Sequence, residues 1–489
     1  MNDFKILLAS PRITSYKKNL RRVTPPLGLA YIAAVLEKNG YNTSILDAAV
    51  EGYDVIEPID EELIVYGLSL EEIKKRIESI SPNIVGITFP YSCQAKNVLD
   101  ICKVVKEVNK GIKVAVGGVH ASALPKRILS ENKNIDYIVI GEGEYTFFEL
   151  TNNLKENKPV SDIKGLAFRK EDSSVQINQP RELIQDLDFL PFPARHLLNM
   201  EKYIKINTWH APYSRKKRVA NIITSRGCPG VCIYCSSYCV FGRKFRARSV
   251  ENIIKEVEFL ISKYDVREIQ FEDDNLSFDK ERAMRLFKRL KKYNLTWCTP
   301  NGVRVDSIDS EMLKLMKDSG CYQVTFGIES GNQYVLNKII KKGINLKKVK
   351  PIVKEAKKLG ILVHLFFMIG LPGETKKQMK DTLKFAKYVN PDSASFSIAT
   401  PLPGSKMYDL CVEKGYLKED FTFENTIYRK ANINTPEFTA KELEEFADKA
   451  NYSFNLSLIY RNPWRFAKKY LVFFLTKPKM VLKAFRKNA

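Results

Sequence analysis

The sequence predicts an α/β protein in which a doubly wound, Rossmann-like parallel sheet is followed by a partial (β/α)6 barrel and a helical carboxyl-terminal tail. Short apolar runs alternate with amphipathic segments in two long stretches of the chain, which indicates two sets of strand–helix units. The apolar runs are rich in β-branched residues, as is typical of strands that helices cover on both faces. The 489 residues are too many for one hydrophobic core, so we expect several domains.

Residues 1–157 are predicted to form the Rossmann-like domain. Five apolar runs in this range predict strands, and amphipathic segments that predict helices follow them. In such a sheet a ligand binds at the carboxyl ends of the strands, where glycines let a backbone approach a bulky group closely. The five runs are FKILLAS, NTSILDA, IVGITFP, KVAVGGVH and DYIVIGEG.

The remaining residues are predicted to form three further regions. A small hairpin and a proline-punctuated segment indicate a connector over residues 158–217. Six strand–helix units, short of a final helix, predict a partial barrel over residues 218–430, with its chemistry at the carboxyl ends of the strands. Residues 431–489 are predicted to be a helical, basic carboxyl-terminal region.

The composition is that of an ordinary globular protein, with 44% hydrophobic and 28% charged residues. No run of eighteen apolar residues is present, so we expect no transmembrane helix. The beginning, MNDFKILLAS, does not resemble a signal peptide, and we expect a cytoplasmic protein. In that compartment the nine cysteines are expected to be free thiols or metal ligands rather than disulfides.

Positive charge is concentrated away from the first domain. The net charge is +23, yet residues 1–160 contain 20 basic and 20 acidic residues, whereas residues 451–489 contain nine basic residues and no acid. Basic amphipathic segments bind anionic membranes, so this tail is a candidate for peripheral contact with the inner membrane surface. The alternative is a helix that closes one end of the barrel, with lysines that serve only solvation.

The sequence SRGCPGVCIYCSS follows the first predicted barrel strand and contains Cys228, Cys232 and Cys235. Three thiolates at this spacing can ligate three irons of a four-iron, four-sulfur (4Fe-4S) cluster and leave the fourth iron open. Two alternatives remain. Cys239 could supply a fourth sulfur for a structural zinc ion, or the thiols could pack as small hydrophobic side chains.

This spacing resembles that of the radical S-adenosylmethionine (SAM) superfamily. The resemblance implies that the open iron binds the amino and carboxylate groups of SAM, and that an electron from the cluster cleaves the cofactor to a 5′-deoxyadenosyl radical. It also implies an electron donor such as flavodoxin or ferredoxin, and it places Tyr234, which precedes the third cysteine, against the adenine. Residues that act on the substrate are not assigned.

Polar residues and glycines at the ends of later strands also agree with the superfamily. The resemblance assigns Glu329 to the sugar or amino acid end of SAM and the Gly370 loop to its adenosine. A carboxylate at a strand end is about as often a helix cap as a ligand. The expected SAM contacts besides Tyr234 are Asp273 in QFEDDN, Arg304 in NGVRVD, Glu329 and Ser330 in FGIESGN, Gly370 in FFMIGLPGET and Pro401 in ATPLPG.

The first domain resembles the cobalamin-binding domain of one class of radical SAM enzymes, through TPPLGLAYIAAVLEKNG, VGITFPYS, VGGVHAS and GEGEYTFFEL. The resemblance implies a corrin over the carboxyl ends of the sheet. The DxHxxG element that supplies a cobalt-ligating histidine elsewhere is replaced by LDAAVEG, so no such ligand is expected. The alternative is a Rossmann-like domain that binds no corrin. The expected cobalamin contacts are Thr88, Ser92, Gly117, Gly118, His120, Gly141 and Glu142.

These resemblances imply a cobalamin-dependent radical SAM enzyme that methylates an unactivated carbon of a small-molecule or lipid-linked substrate. One alternative is a radical SAM cyclase or ring-rearranging enzyme acting on a lipid or tetrapyrrole-like substrate. Another is a non-catalytic corrin- or metal-binding module. Nucleic acid is not the expected partner, because the tRNA-modifying members have a different first domain and a terminal β-barrel that this sequence does not show.

Overall fold

The computed structural model describes residues 4–211, 214–427 and 429–461, together with residues 463, 464, 467 and 471. The described residues form two large sheets, one of seven strands and one of six strands. Smaller sheets of three and two strands accompany them. The protein is therefore a mixed α/β protein, as the sequence predicts.

The seven-stranded sheet belongs to the first part of the chain. Ten strands lie between residues 5 and 177: β1 (Lys5–Ser10), β2 (Ile13–Tyr16), β3 (Asn42–Asp47), β4 (Ile56–Pro58), β5 (Leu63–Tyr66), β6 (Ile84–Thr88), β7 (Lys113–Gly117), β8 (Tyr137–Val139), β9 (Leu166–Arg169) and β10 (Val175–Ile177). The sheet order is β10-β9-β8-β7-β6-β1-β3, and the five strands from β8 to β3 run parallel. The strand order reverses beside β1, and such a switch point is where doubly wound sheets bind ligands.

Seven helices accompany this sheet. The helix that precedes β6 starts at a capping box in which Ser69 and Glu72 satisfy each other's backbone N–H groups. The helices are α1 (Leu27–Lys38), α2 (Ala48–Glu51), α3 (Leu70–Ile80), α4 (Ala95–Val108), α5 (Val119–Ala123), α6 (Pro125–Glu131) and α7 (Gly143–Lys155).

The five predicted strands of the first domain are all present as β1, β3, β6, β7 and β8. The predicted hairpin forms as β9 and β10, but it pairs antiparallel onto β8. The sheet therefore extends past residue 157 into the region predicted as a connector. The small antiparallel sheet of β2, β5 and β4 was not predicted.

The six-stranded sheet is parallel and follows the chain order β11-β14-β15-β16-β17-β18, as a partial barrel requires. A short antiparallel pair, β12 and β13, lies beside it. The strands are β11 (Val219–Ile222), β12 (Ser225–Arg226), β13 (Arg246–Ala247), β14 (Glu268–Phe271), β15 (Thr296–Val303), β16 (Cys321–Glu329), β17 (Leu362–Ile369) and β18 (Ser393–Ile398).

The helices of the second part end with a long helix that covers the last strand. Phe454 of this helix packs edge-on against Phe396 of β18, and Asn451 bonds to the backbone N–H and C=O of Phe396. None of the described helices is long and apolar enough to cross a membrane. The helices are α8 (Met200–Ile206), α9 (Tyr238–Phe241), α10 (Val250–Tyr264), α11 (Lys280–Leu290), α12 (Ser310–Asp318), α13 (Val349–Lys358), α14 (Lys376–Val389), α15 (Lys406–Glu413) and α16 (Ala440–Arg461).

Buried ion pairs join the first sheet's domain to the barrel. Glu142, after β8, pairs with Arg226 of β12 at 2.9 Å and with Arg246 of β13 at 2.8 Å. Glu144 accepts a second bond from Arg226 at 2.5 Å. All four side chains are buried, so each charge depends on its partner for stabilisation.

Candidate active site

The cysteine loop, residues 227–237, lies between β12 and α9 at the mouth of the barrel. Gly227 starts it with φ +79°, and a Cβ there would lie 2.3 Å from the carbonyl oxygen of Lys244, so only glycine fits. The N–H of Ile233 donates to the carbonyl of Ile340 at 3.1 Å, and the carbonyl of Ile233 accepts from the N–H of Met407 at 2.8 Å. Backbone bonds to distant parts of the barrel therefore position the loop.

Cys228, Cys232 and Cys235 are half-buried free thiols in this loop. A Cβ built on Gly230 would lie 3.4 Å from Sγ of Cys228 and 3.8 Å from Sγ of Cys232, so both sulfurs turn toward the inside of the loop. Burial raises the pKa of the Cys228 and Cys232 thiols, and the neighbouring thiols raise it further. Bound iron would lower these thiol pKa values, because metal ions stabilise thiolates.

This donor set fits a 4Fe-4S cluster, with three thiols for four irons. Arg304 and Lys342 lie close enough to lower the pKa of Cys228 and Cys232 respectively, so cations surround the thiols. Within the described residues no three His, Cys, Asp or Glu side chains converge as the ligands of a single metal ion would. The thiols of a cluster bond different irons and need no such convergence.

Cys239 packs at a junction of three parts of the chain. A Cβ on Gly404, after β18, would lie 2.6 Å from Sγ of Cys239 and 3.0 Å from Cβ of Ala123 in α5. The hydroxyl of Tyr238 donates to the carbonyl of Gly404. Cys239 thus fills the contact between the cysteine loop, the last barrel strand and the first domain.

Glu329 ends β16 beside the cysteine loop. It adopts φ 71°, a left-handed conformation that is strained for a non-glycine residue, after a register shift in the strand. Its Oε1 accepts hydrogen bonds from the hydroxyl of Tyr234 at 3.0 Å and from Nζ of Lys342 at 2.8 Å. A Cβ on Gly327 would lie 2.7 Å from this oxygen, so glycine makes room for the pair. Hydrogen bonds therefore join Tyr234, Glu329 and Lys342 beside the thiols.

The other predicted SAM contacts divide into two sets. Arg304 is partly exposed near the thiols, where it binds Asp306 through two bonds of 3.0 and 2.6 Å. Asp273, by contrast, is buried and accepts bonds from Thr224 and Ser225, which lead into the cysteine loop.

Ser330, Gly370 and Pro401 are also buried. The hydroxyl of Ser330 bonds to that of Thr382, and a Cβ on Gly370 would lie 2.3 Å from a methyl group of Leu443. In this structure the side-chain hydrogen bonds of Asp273 and Ser330 stabilise the barrel itself, and Leu443 of α16 packs against the backbone of Gly370. Contact of any of these residues with SAM stays a prediction.

The predicted corrin-binding residues lie at, or within a few residues after, the carboxyl ends of β6, β7 and β8. Thr88, Gly117 and Gly141 are partly exposed there. Gly118 has φ +115°, and a Cβ on it would lie 2.8 Å from the carbonyl oxygen of Phe89, so this turn requires glycine. A Cβ on Gly141 would lie 3.8 Å from the carbonyl oxygen of Val240 in α9, so the loop after β8 lies beside the helix that follows the cysteine loop.

Three of these residues have internal partners. Nδ1 of His120 lies 2.8 Å from the hydroxyl of Ser92, and the imidazole packs between Phe89 and Phe423. Burial lowers the pKa of His120 to about 4, so it is neutral near pH 7. Both carboxylate oxygens of Glu142 accept bonds from arginine or from backbone. The side chain of Glu142 therefore joins the domains in this structure, and corrin contact stays a prediction for all three.

Four polar side chains lie near one another where the first domain meets the barrel, and we call the region between them the recess: Tyr91, His210, Glu272 and Asp274. The ring of Tyr91 is 67% exposed, and desolvation of its hydroxyl, together with Glu272, raises its pKa. Nδ1 of His210 lies 2.9 Å from Oε2 of Glu272. Asp274 is exposed, but desolvation and Asp273 raise its pKa to about 6. Asp274 also raises the pKa of Cys228, so the recess adjoins the thiols.

Sequence reasoning missed Lys342, Tyr91, His210 and Glu272. Lys342 follows an irregular π-helical turn, Val335–Ile340, where no strand end marks it. Tyr91 belongs to VGITFPYS, which was assigned to the corrin as a whole, and His210 lies in the predicted connector. The polar run QFEDDN was the only available signal for the barrel side of the recess.

Comparisons with known proteins identify both parts of the chain. The family model of the radical SAM superfamily matches residues 222–386, and that of the B12 binding domain matches residues 14–151. The cytidylyl-2-hydroxyethylphosphonate methyltransferase of Streptomyces wedmorensis is 38% identical over 480 residues, which span 92% of this chain and 90% of the relative. An uncharacterised methyltransferase of Pyrococcus horikoshii is 34% identical over 93% of both chains.

A solved structure shares the whole architecture. The cobalamin-dependent SAM radical enzyme OxsB, solved with aqua-cobalamin and SAM bound, superposes with a TM-score of 0.71 at 18% identity. The match covers 99% of this chain and 75% of OxsB. At this identity the similarity concerns the fold.

Proposed function

The chain belongs to the cobalamin-dependent radical SAM methyltransferases, and from this premise we propose that it transfers a methyl group to an unactivated carbon of a small-molecule substrate. When bound, the cluster and SAM supply radical chemistry, and the corrin supplies the methyl group. The polypeptide must hold these groups around one substrate and exclude water.

One observation carries the proposal. Helix α9, which follows the cysteine loop, lies beside the carboxyl edge of the first sheet. Cys239 of α9 and Ala123 of α5 both border Gly404, and the carbonyl oxygen of Val240 lies 3.8 Å from the Cβ position of Gly141. A corrin over that edge and a cluster on the thiols would border the same recess. A methyl donor and a radical source must both reach one carbon, so this adjacency is what the reaction requires.

We assign roles to the residues around the thiols on their geometry. Cys228, Cys232 and Cys235 hold the cluster, and Tyr234, Arg304 and Glu329 contact SAM. Among the described residues the side-chain hydrogen bonds of Glu329 use Oε1 alone, which leaves Oε2 for an ammonium or hydroxyl group. Lys342 orients this carboxylate through a charge-assisted hydrogen bond, which is stronger than a neutral one.

The recess suggests the chemistry of the substrate. Glu272 and Asp274 offer carboxyl oxygens as acceptors, and Tyr91 offers a hydroxyl. Such a lining suits a substrate with hydroxyl groups. The substrate named for the Streptomyces relative contains a hydroxyethyl group, and we propose a hydroxyl-bearing substrate here, free or lipid-linked.

Two further proposals concern the surroundings of the enzyme. We propose that the protein works in the cytoplasm, where the nine cysteines stay reduced. We also propose that flavodoxin or ferredoxin reduces the cluster. Cell fractionation, and replacement of dithionite by purified flavodoxin in the assay, would test these two statements.

Labelled SAM tests the proposed function. The anaerobically reconstituted protein, given SAM with a deuterated methyl group and a panel of hydroxylated substrates, should form 5′-deoxyadenosine and a product that is heavier by the labelled methyl group. The Cys232→Ala protein should form neither. A product that has lost hydrogen without gaining label would refute methyl transfer and would support the cyclase alternative.

A further inference from the structure

The last described residues of the chain expose a continuous row of apolar side chains. We call Tyr452, Leu456, Ile459, Tyr460 and Trp464 the apolar stripe, and all five are exposed. Trp464 is 86% exposed and Tyr460 is 79% exposed. Single exposed apolar residues are ordinary, but a contiguous row of them marks an interaction surface.

The stripe lies on the side of the helix that faces away from the barrel. The buried residues of α16 repeat every three or four positions and pack on the barrel side; they are Ala440, Leu443, Ala447, Ala450, Phe454 and Leu458. At about 100° per residue, the centre of the stripe lies roughly 160° from the centre of this buried face. The barrel therefore packs against one face of the helix, and the stripe on the opposite face is available to another partner.

The chain around the stripe is basic. The four acidic residues of α16 all precede Tyr452, and residues 451–489 contain nine basic residues and no acid. Most of residues 462–489 lie outside the described residues, so the predicted basic tail is known here only by its sequence.

The neighbouring barrel helices add positive charge on the same side. Helices α13 and α14 contain nine lysines and two acidic residues. Nζ of Lys387 in α14 donates to Oγ of Ser453 in α16 at 2.7 Å, so Lys387 lies beside the stripe. Nζ of Lys350 lies 3.6 Å from the centre of the exposed ring of Tyr388. An apolar row with lysines beside it complements an anionic, amphipathic surface.

We propose that this end of the protein docks on an anionic phospholipid surface, with the apolar stripe in the interface and the lysines against the head groups. Tryptophan and tyrosine favour the interface because one part of each ring system is apolar and another forms hydrogen bonds. Lysines extend their charged ends to lipid phosphates while their alkyl chains remain near apolar surface. The proposal concerns location and does not depend on the reaction.

Trp464 provides a direct readout. The chain has three tryptophans, and the other two, Trp209 and Trp297, are buried, so a change in fluorescence on binding reports Trp464. Full-length protein mixed with vesicles that contain phosphatidylglycerol should show a blue shift and co-sediment with them. Pure phosphatidylcholine vesicles should give neither effect. Raising the salt from 0.1 to 0.5 M should release most of the protein, because salt screens the attraction of the lysines.

A matched pair of variants distinguishes membrane binding through the stripe from nonspecific hydrophobic binding to vesicles. Ile459 of the stripe is 44% exposed, and Ile56 of the first domain is 45% exposed. Ile459→Ser should lower the vesicle partition coefficient roughly tenfold, since it removes one buried aliphatic side chain from the interface. Ile56→Ser should leave it unchanged. Both variants should keep the thermal stability and SAM cleavage of the parent.

Three results would overturn the proposal. The first is equal loss of binding in both isoleucine variants, or no vesicle binding at all. The second is a blue shift with tRNA but not with anionic vesicles, which would assign the basic side to nucleic acid. The third is a dimer in solution that Ile459→Ser dissociates, which would assign the stripe to a second copy of the chain.

Discussion

Replacement of Glu142 tests whether buried ion pairs fix the two domains relative to each other. Glu142→Gln keeps the size of the side chain but removes the charge that faces Arg226 and Arg246. Arg226 retains Glu144, whereas Arg246 loses the only ion-pair partner that the described residues show for it. Breaking a buried pair while its partner stays buried costs about 3–5 kcal/mol of unfolding free energy.

Thermal unfolding of the anaerobic protein would measure this cost. A loss of this size should lower the melting temperature by roughly 6–20 °C for domains of this length. Glu131→Gln, in the exposed pair of Arg127 and Glu131, is the control, and it should change the unfolding free energy by about 0–1 kcal/mol. If Glu142→Gln unfolds at the same temperature as the parent, the buried pairs do not hold the domains together.

Three further predictions follow from the site and the barrel. Burial raises the pKa of Glu374 from 4.5 to about 7, so the folded protein keeps a proton that the unfolded chain loses between these values. The unfolding free energy should therefore fall by about 3 kcal/mol, relative to Glu374→Gln, as the pH rises from 4.5 to 7, and parallel pH profiles of chemical denaturation would contradict this. Lys342→Met should weaken SAM binding roughly tenfold or more in equilibrium dialysis while the iron content stays unchanged, because Glu329 loses a charge-assisted bond; unchanged affinity would remove Lys342 from the site. Cys239→Ala should keep the full iron and sulfide content that Cys232→Ala loses, and loss of iron in both would make Cys239 a ligand.

The sequence predicted the elements whose signals are local. The five parallel strands of the first sheet and the six of the barrel each form a compact apolar run, so periodicity located them. The three thiols lie within eight residues of one another, and their spacing, together with the six strand–helix units around them, indicated the cluster. The hairpin of β9 and β10 was also predicted, but not the sheet that it would join, because edge pairing depends on tertiary contacts.

Contacts between distant residues could not be predicted. Strands β2 and β5 pair across about fifty residues with no turn signal to connect them. Glu142 was assigned to the corrin through the resemblance of GEGEYTFFEL, which follows a strand, and its ion-pair partners Arg226 and Arg246 lie 84 and 104 residues away. Asp273 was assigned to SAM for the same reason, and the structure pairs it with Thr224. A strand end predicts where a polar residue lies but not which neighbour it binds.

We propose that the three thiols and the first domain act on one substrate. The protein can be reconstituted anaerobically with iron, sulfide and hydroxocobalamin, and bound iron, bound corrin and 5′-deoxyadenosine can then be measured in one preparation. We expect about four irons and one corrin per chain, with cofactor cleavage that Cys228→Ala abolishes without loss of the corrin. A preparation that binds zinc in place of iron, or that binds no corrin, would contradict the account.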